Sequence, residues 1–214
     1  MNPTTVPGSP LRVVGICGSL RQKSYTRFAL NIALRGAGEI GAVTSLIDLR
    51  DYDLIPYDGR RDDWPPSVLR LREQVREAQG LIIGTPEYHG SLSGVLKNAL
   101  DLMSFEEFEG KMLGLVGVSG GAMGAVNALN TLRTVGRSLH AWVIPQQVSV
   151  PEAWKAFDEQ GALLDERFNE RLREVGRQVA RFALLHTAEQ AREFLRQWEQ
   201  APENPGGAGG GPGS

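Results

Sequence analysis

Gly84-Thr85-Pro86-Glu87-Tyr88-His89-Gly90-Ser91-Leu92-Ser93-Gly94-Val95-Leu96-Lys97-Asn98-Ala99-Leu100-Asp101 is the stretch that decides how the chain is read. Leu81-Ile82-Ile83 leads into it as a short apolar run, the pattern of a buried strand. Pro86 stiffens the exit, because proline fixes φ and lacks an amide donor. Gly90 and Gly94 let the backbone turn tightly or lie close to something flat. From Val95 the spacing becomes helical, with Val95, Ala99 and Leu102 on one face. The stretch thus reads as a strand–loop–helix corner carrying Glu87, Tyr88, His89, Ser91 and Ser93 at the carboxyl end of a strand. Open α/β sheets bind ligands at such ends. An ordinary βα connection would also hold a few polar residues, so the corner alone names no ligand.

Upstream, Leu11 to Cys17 is apolar and rich in β-branched residues and reads as the first strand. Cys17 at its end reads as a small buried hydrophobe. The loop Gly18-Ser19-Leu20-Arg21-Gln22-Lys23-Ser24-Tyr25-Thr26-Arg27 then precedes a helical pattern through Phe28, Ile32 and Ala33. A phosphate needs amides at a helix start, hydroxyl donors and a cation, and this loop has all three. Ser24 or Thr26 serving only as an N-cap would explain the hydroxyls, but not Gly18, Ser19 and Arg21 directly after a strand. The loop fits neither Gly-x-x-x-x-Gly-Lys-Ser/Thr nor Gly-x-Gly-x-x-Gly.

Downstream, Lys111 to Val118 reads as a fourth strand entering Ser119-Gly120-Gly121-Ala122-Met123-Gly124, followed by helical spacing through Val126, Leu129 and Arg133. This loop holds the sharpest rival reading. Gly117-Val118-Ser119-Gly120-Gly121 matches Gly-x-Ser-x-Gly, the nucleophile elbow of serine hydrolases, between a strand and a helix. Asp158 or Asp165 and then His186 follow in the order Ser, Asp, His. The hydrolase ranks second, because His186 falls within a long amphipathic helix and the chain is short for an α/β-hydrolase.

Val43 to Leu49 reads as the second strand, and Val68 to Ala78 as a helix through Leu71 and Val75. The aspartates at 51, 53, 58, 62 and 63 read as a solvated loop, since Leu54 and Ile55 break the alternation a calcium loop needs. His140 to Ile144 and Gln147 to Val150 form a fifth strand interrupted at Pro145, with His140 structural. Phe168, Leu172, Val175, Val179 and Phe182 form one core-facing stripe. Strands alternating with helices imply a parallel sheet covered on both faces.

The chain has 214 residues, which suits one substantial domain. Residues 1–10 read as a flexible N-terminus without signal-peptide features, 11–185 as the domain, 186–200 as an added amphipathic segment, and 201–214 as a disordered Gly/Pro-rich tail. A net charge of −2 argues against nucleic acid as a main partner. No run approaches the roughly 20 apolar residues needed to span a bilayer. A single cysteine allows no internal disulfide and fits a cytoplasmic setting, and three histidines without ligand spacing suggest no metal site.

Pro86-Glu87-Tyr88-His89, followed by Leu96-Lys97-Asn98-Ala99-Leu100-Asp101, closely resembles the signature of the NAD(P)H-dependent FMN reductases, a flavodoxin-like family with quinone, azo-dye and chromate reductase relatives. Where that family usually carries Asn, this chain has His89. Gly18, Ser19, Arg21 and Ser24 meet the family's phosphate-loop pattern Gly-Ser-x-Arg-x-x-Ser. The resemblance implies a flavodoxin-like three-layer sandwich with a five-stranded parallel sheet in the order 2-1-3-4-5. It implies FMN as cofactor and NADPH or NADH as electron donor. Hydride would pass through the flavin to a quinone, free flavin or similar small-molecule acceptor, in ping-pong fashion. By the same resemblance Ser19, Arg21, Ser24, Tyr25 and Thr26 wrap the phosphate. Pro86, Glu87, Tyr88 and His89 run along the ring, and Ser119, Gly120 and Gly121 approach its edge. No catalytic side chain is required, and a homodimer or homotetramer is implied. A flavodoxin-type electron carrier and a cofactor-free scaffold remain as other classes.

Overall fold

A computed structural model of the chain describes residues 10–188 and Glu193. Expectations for residues 1–9 and for the Gly/Pro-rich tail lie outside the described residues, as does most of the segment 186–200.

The elements in chain order are β1 (Arg12–Cys17), α1 (Tyr25–Glu39), β2 (Val43–Asp48), a 3-10 turn (Leu49–Asp51), α2 (Pro66–Arg76), β3 (Gly80–Tyr88), β4 (Ser91–Leu92), α3 (Gly94–Asp101), α4 (Phe105–Phe108), β5 (Met112–Val118), α5 (Val126–Ser138), β6 (Trp142–Val150), α6 (Ala153–Ala156) and α7 (Glu166–Thr187). The sheet order is β2-β1-β3-β5-β6, with all four neighbouring pairs parallel. Setting aside the two-residue β4, this is the expected 2-1-3-4-5 order. β4 itself was not expected, and it pairs antiparallel with the end of β3. The order reverses between β1 and β3, so the loops after these strands diverge to opposite faces and leave a crevice at their carboxyl ends.

Two cores sandwich the sheet. On one face α1 and α7 cover Val13, Ile82, Val116 and Val148; on the other α2, α3 and α5 cover Val14, Ile16, Leu81, Ile83 and Leu115. The strand residues are buried whichever face they point to, which is why these segments read as continuous apolar runs. α3 is rotated slightly from expectation, burying Leu96, Ala99 and Leu100. Leu172, Val175 and Val179 face the core as expected, whereas Phe182 is 39% exposed. The next residue, Ala183, is buried over Gly80 of β3, so Phe182 lies on the flank of α7 beside the edge strand β6. α7 continues through His186 to Thr187, so the expected boundary after Leu185 falls inside a helix. The break expected at Pro145 is a register shift within a continuous edge strand, since Leu113 pairs with Val143 but Leu115 with Gln147. Arg133 fills it, donating to the Ile144 carbonyl at 3.1 Å and to Gln147 Oε1 at 2.8 Å.

α1 and α7 touch backbone to backbone. A Cβ on Gly36 would meet the Arg173 carbonyl, and one on Gly176 would meet the Ala33 carbonyl. Gly38, on the same helix α1, has nothing within 4 Å of such an atom. Gly176→Ala should therefore destabilise the fold by about 2 kcal/mol, the scale of overpacking, despite its better helix propensity. Gly38→Ala should stabilise it by up to about 1 kcal/mol. Thermal melts check both, with Gly176→Ala lower than wild type by about 4–8 °C for a chain of this size. Equal behaviour of the two variants would contradict the helix contact.

Candidate functional site

β1 ends at Cys17, which is buried, and burial pushes its thiol pKa up, as expected of a packing residue. The chain then turns at Gly18 into α1. Ser24 caps this helix, its hydroxyl accepting from Arg27 N at 3.2 Å. Ser19 Oγ accepts from Arg21 N at 3.4 Å. The Arg27 guanidinium closes the loop from inside, with Nη1 donating to Gln22 O at 2.9 Å, Nη2 to Arg21 O at 3.1 Å and Nε to Asp48 Oδ2 at 2.6 Å. Asp48 also accepts from Arg50. Burial disfavours its charge, but the Arg50 and Arg27 hydrogen bonds outweigh that and hold the carboxyl below its ordinary pKa. The amides of Tyr25 and Thr26 precede the first intrahelical bond, Phe28 N to Ser24 O, and find no acceptor among the described residues. Arg21 and Lys23 are exposed, and their side chains make no hydrogen bond or ion pair among the described residues. Free amides at the start of a 15-residue helix, with cations beside them, form a donor set suited to a phosphate.

The second corner is a hairpin. Glu87 pairs with Leu92 and Tyr88 with Ser91, leaving His89-Gly90 as a two-residue turn with φ of 51° and 77°. Positive φ at both positions is the requirement of a type I′ turn, for which Asn-Gly is the preferred pair. His belongs with Asn among the residues that tolerate this region, so the family's Asn and this chain's His89 answer one backbone constraint. Glu87 turns away from the turn: its Oε2 accepts from Ala128 N at 2.9 Å, in the first turn of α5. Ala125, the cap residue of α5, offers no side-chain acceptor, so Glu87 supplies the cap from another element. Pro86 is buried and pairs with Val118. Tyr88 and His89 stand exposed at the rim. The rest of the motif is structural here. Asn98 accepts from Tyr57 N and donates to Ile55 O, both at 2.9 Å, pinning the β2–α2 loop, while Lys97 pairs with Asp101.

The third corner follows β5. Ser119 Oγ accepts from Gly121 N at 3.0 Å, and the Ser119 and Gly121 carbonyls accept from Ala153 N and Glu152 N at the start of α6. A Cβ on Gly120 would meet nothing within 4 Å, and one on Gly121 only Ser119 Oγ at 3.7 Å. The loop therefore presents bare backbone to open space, as a flat ring edge would need. This arrangement removes the hydrolase geometry. His186 packs beside Trp142, which pairs with Met112 at the opposite end of β5 from Ser119. Seven residues at ~3.3 Å each put the two ends roughly 23 Å apart. His140 lies at that far end as well, stacked on Phe105.

Two hydrogen bonds join the first and second corners: Gly18 N donates to Gly84 O at 2.8 Å and Ser93 Oγ to Gly18 O at 2.6 Å. Glu87 joins the second to α5. The residues expected at a phosphate and a ring thus come to one rim, although Ser24, Pro86 and Glu87 are occupied by structural contacts there. Ser93 was noted at this corner but not its bond to Gly18 O, and Arg27, Asp48 and Ser149 were missed. The last accepts from Ala125 N at 2.7 Å, beside Gly124. Each joins parts of the chain remote in sequence, and no local pattern marks such a pair.

The fold defines a flavodoxin-like α/β protein whose rim carries a loop of free amides after β1 and bare glycine backbone after β5. Residues 11–155 match the model of the NADPH-dependent FMN reductase family, and the chain belongs to that family. It is 38% identical over 165 residues to an NAD(P)H-dependent FMN reductase of Pseudomonas aeruginosa, a match spanning 75% of this chain and 88% of that protein. It is 33% identical over 181 residues to the NADPH-dependent FMN reductase ArsH of Shigella flexneri, spanning 82% of this chain and 70% of the relative. Among solved structures, the flavoenzyme NAD(P)H:(acceptor) oxidoreductase FerB of Paracoccus denitrificans shares the fold, with a TM-score of 0.68 at 24% identity over 82% of this chain and 98% of that one.

Glu87→Ala removes the cap of α5 and should cost about 1 kcal/mol in urea denaturation. His89→Asn should leave stability near wild type, whereas His89→Val should lose about 1–2 kcal/mol, because a β-branched residue resists the left-handed region. If the valine variant melted with the asparagine variant, the turn assignment would be wrong.

Proposed function

We propose that the chain binds FMN at the rim formed by residues 18–26, 85–93 and 119–124 and works there as an NAD(P)H-dependent oxidoreductase. The observation that carries this reading is a loop of free amides and unpaired cations after β1, on the same rim as the bare Gly120-Gly121 backbone. One suits a phosphate and the other a planar ring, and the residues present fit FMN, which has both. When bound, FMN supplies the redox chemistry, accepting hydride from NAD(P)H and giving electrons to a small-molecule acceptor such as a quinone or free flavin.

The residues of the chain bind and orient. Arg21 supplies a flexible cation, and the amides of Tyr25 and Thr26 supply fixed donors, to the phosphate. Ser19 and Ser24 set the loop through their hydroxyls, Ser24 as the helix cap. Pro86, Tyr88 and His89 border the ring, and Glu87 holds that hairpin against α5. Ser119, Gly120 and Gly121 offer backbone close to the ring edge, leaving one face of the crevice open for donor and acceptor in turn. Tyr88, Met123 and Val126 are exposed at this rim, which supports a second copy of the chain beside it, as homodimer or homotetramer. The single, buried Cys17 supports a cytoplasmic setting.

A yellow preparation with a flavin spectrum, oxidising NADPH when a quinone is added, is the expected result; protein that takes up no FMN would defeat the reading. Arg21→Ala should weaken FMN binding by about 10- to 150-fold, the range for a charge-assisted hydrogen bond of about 1.5–3 kcal/mol. Flavin fluorescence titration measures it, and an unchanged affinity would remove Arg21 from the site.

A further inference from the structure

We propose that Arg27 is a positioning residue for the phosphate loop, and that it acts by geometry rather than by charge. The proposal rests on the FMN reading above and assigns a role to a side chain that this reading leaves out. Arg27 is not free to meet a ligand as Arg21 is. Its three nitrogens point to three different acceptors: Nε to Asp48 Oδ2, Nη1 to Gln22 O and Nη2 to Arg21 O. Its charge faces the carboxylate of Asp48, which is 7% exposed and shared with Arg50.

The consequence follows from the peptide group. In a trans peptide the C=O of one residue and the N–H of the next point in opposite directions, and the chain has no cis bond among its described residues. Holding the carbonyls of Arg21 and Gln22 toward Arg27 therefore turns the amides of Gln22 and Lys23 away from it. Neither amide has a protein acceptor among the described residues. They extend the row of free donors begun by Tyr25 and Thr26. Without Arg27 those two carbonyls would have no partner inside the loop, and the peptides could rotate. The donors would then have to be ordered again each time an anion bound.

Only a planar, forked cation can do this. A lysine at position 27 keeps the charge but has one nitrogen for three acceptors at different bearings. Asp48 sets the fork from the end of β2, paired with Cys17 of β1 in the sheet register. The parallel sheet thereby fixes the orientation of a loop 21 residues away in sequence.

The test compares FMN with riboflavin, which lacks the phosphate, by fluorescence titration of flavin-free wild type, Arg27→Lys, Arg27→Gln and Asp48→Asn, with circular dichroism melts alongside. Both Arg27 variants should lose FMN affinity by at least about tenfold while riboflavin affinity stays within about twofold, and Asp48→Asn should follow them more weakly. Wild-type-like FMN binding by Arg27→Lys would show that charge is enough and would overturn the proposal. Equal losses for both flavins would also overturn it, by showing general damage to the fold. Failure of the underlying reading would look different, as wild-type protein that binds neither flavin, and would remove the ground for the proposal as well.

Discussion

Gly18 is the junction on which the rim depends. Its amide donates to Gly84 O and its carbonyl accepts from Ser93 Oγ, so the ends of β1 and β3 and the start of α3 meet at one residue. A side chain there would run into Leu96 Cβ at 2.8 Å. Leu96 is fully buried, so the loop sits directly on the core of one face. Two neighbouring parallel strands could in principle send their loops anywhere; here they are held within hydrogen-bonding distance.

The same arrangement recurs around the rim, in which backbone groups left unpaired by one element are satisfied by side chains of another. Ser93 and Thr85 close the corner after β3, since Ser93 N donates to Thr85 Oγ1 at 3.1 Å. Glu87 caps α5, and Ser149 holds the amide that opens it. Arg27 takes the carbonyls of the first loop. A buried polar group without a partner is costly, so each of these contacts is under constraint. What remains unsatisfied is then informative. Among the described residues the amides of Tyr25 and Thr26 at the start of α1 have no protein acceptor, and the proposed phosphate site rests on them.

Reading Ser119 as scaffold rather than nucleophile shows why a five-residue pattern is weak evidence. The strand and helix that a nucleophile elbow requires are both present around Ser119. What is missing, among the described residues, is a histidine hydrogen-bonded to Ser119, whose Oγ accepts from Gly121 N instead. His140 and His186 lie at the far end, and His89 is committed to a turn. A motif describes one corner, whereas catalysis by a triad depends on three elements converging.

Much of this was legible in the residues themselves. Apolar runs with turn signals located the five long strands, and the alternation of strand and helix dictated a parallel, doubly covered sheet. The Gly18 to Thr26 loop and the Pro86 to His89 corner carried their chemistry in local order, because a helix start or a hairpin turn is set by neighbours in the chain. β4 escaped notice because two residues show no period, and Phe182 was misplaced because the buried stripe of α7 passes from Val179 to Ala183, leaving Phe182 on its flank at the sheet edge. Arg27 with Asp48, Glu87 with Ala128 and Ser93 with Gly18 belong to the tertiary structure alone. Their partners lie 21, 41 and 75 residues apart, and only the sheet order, which is not a local property, brings them together. Local sequence determined which groups can hold a phosphate and a ring; packing of distant strands decided which way those groups face.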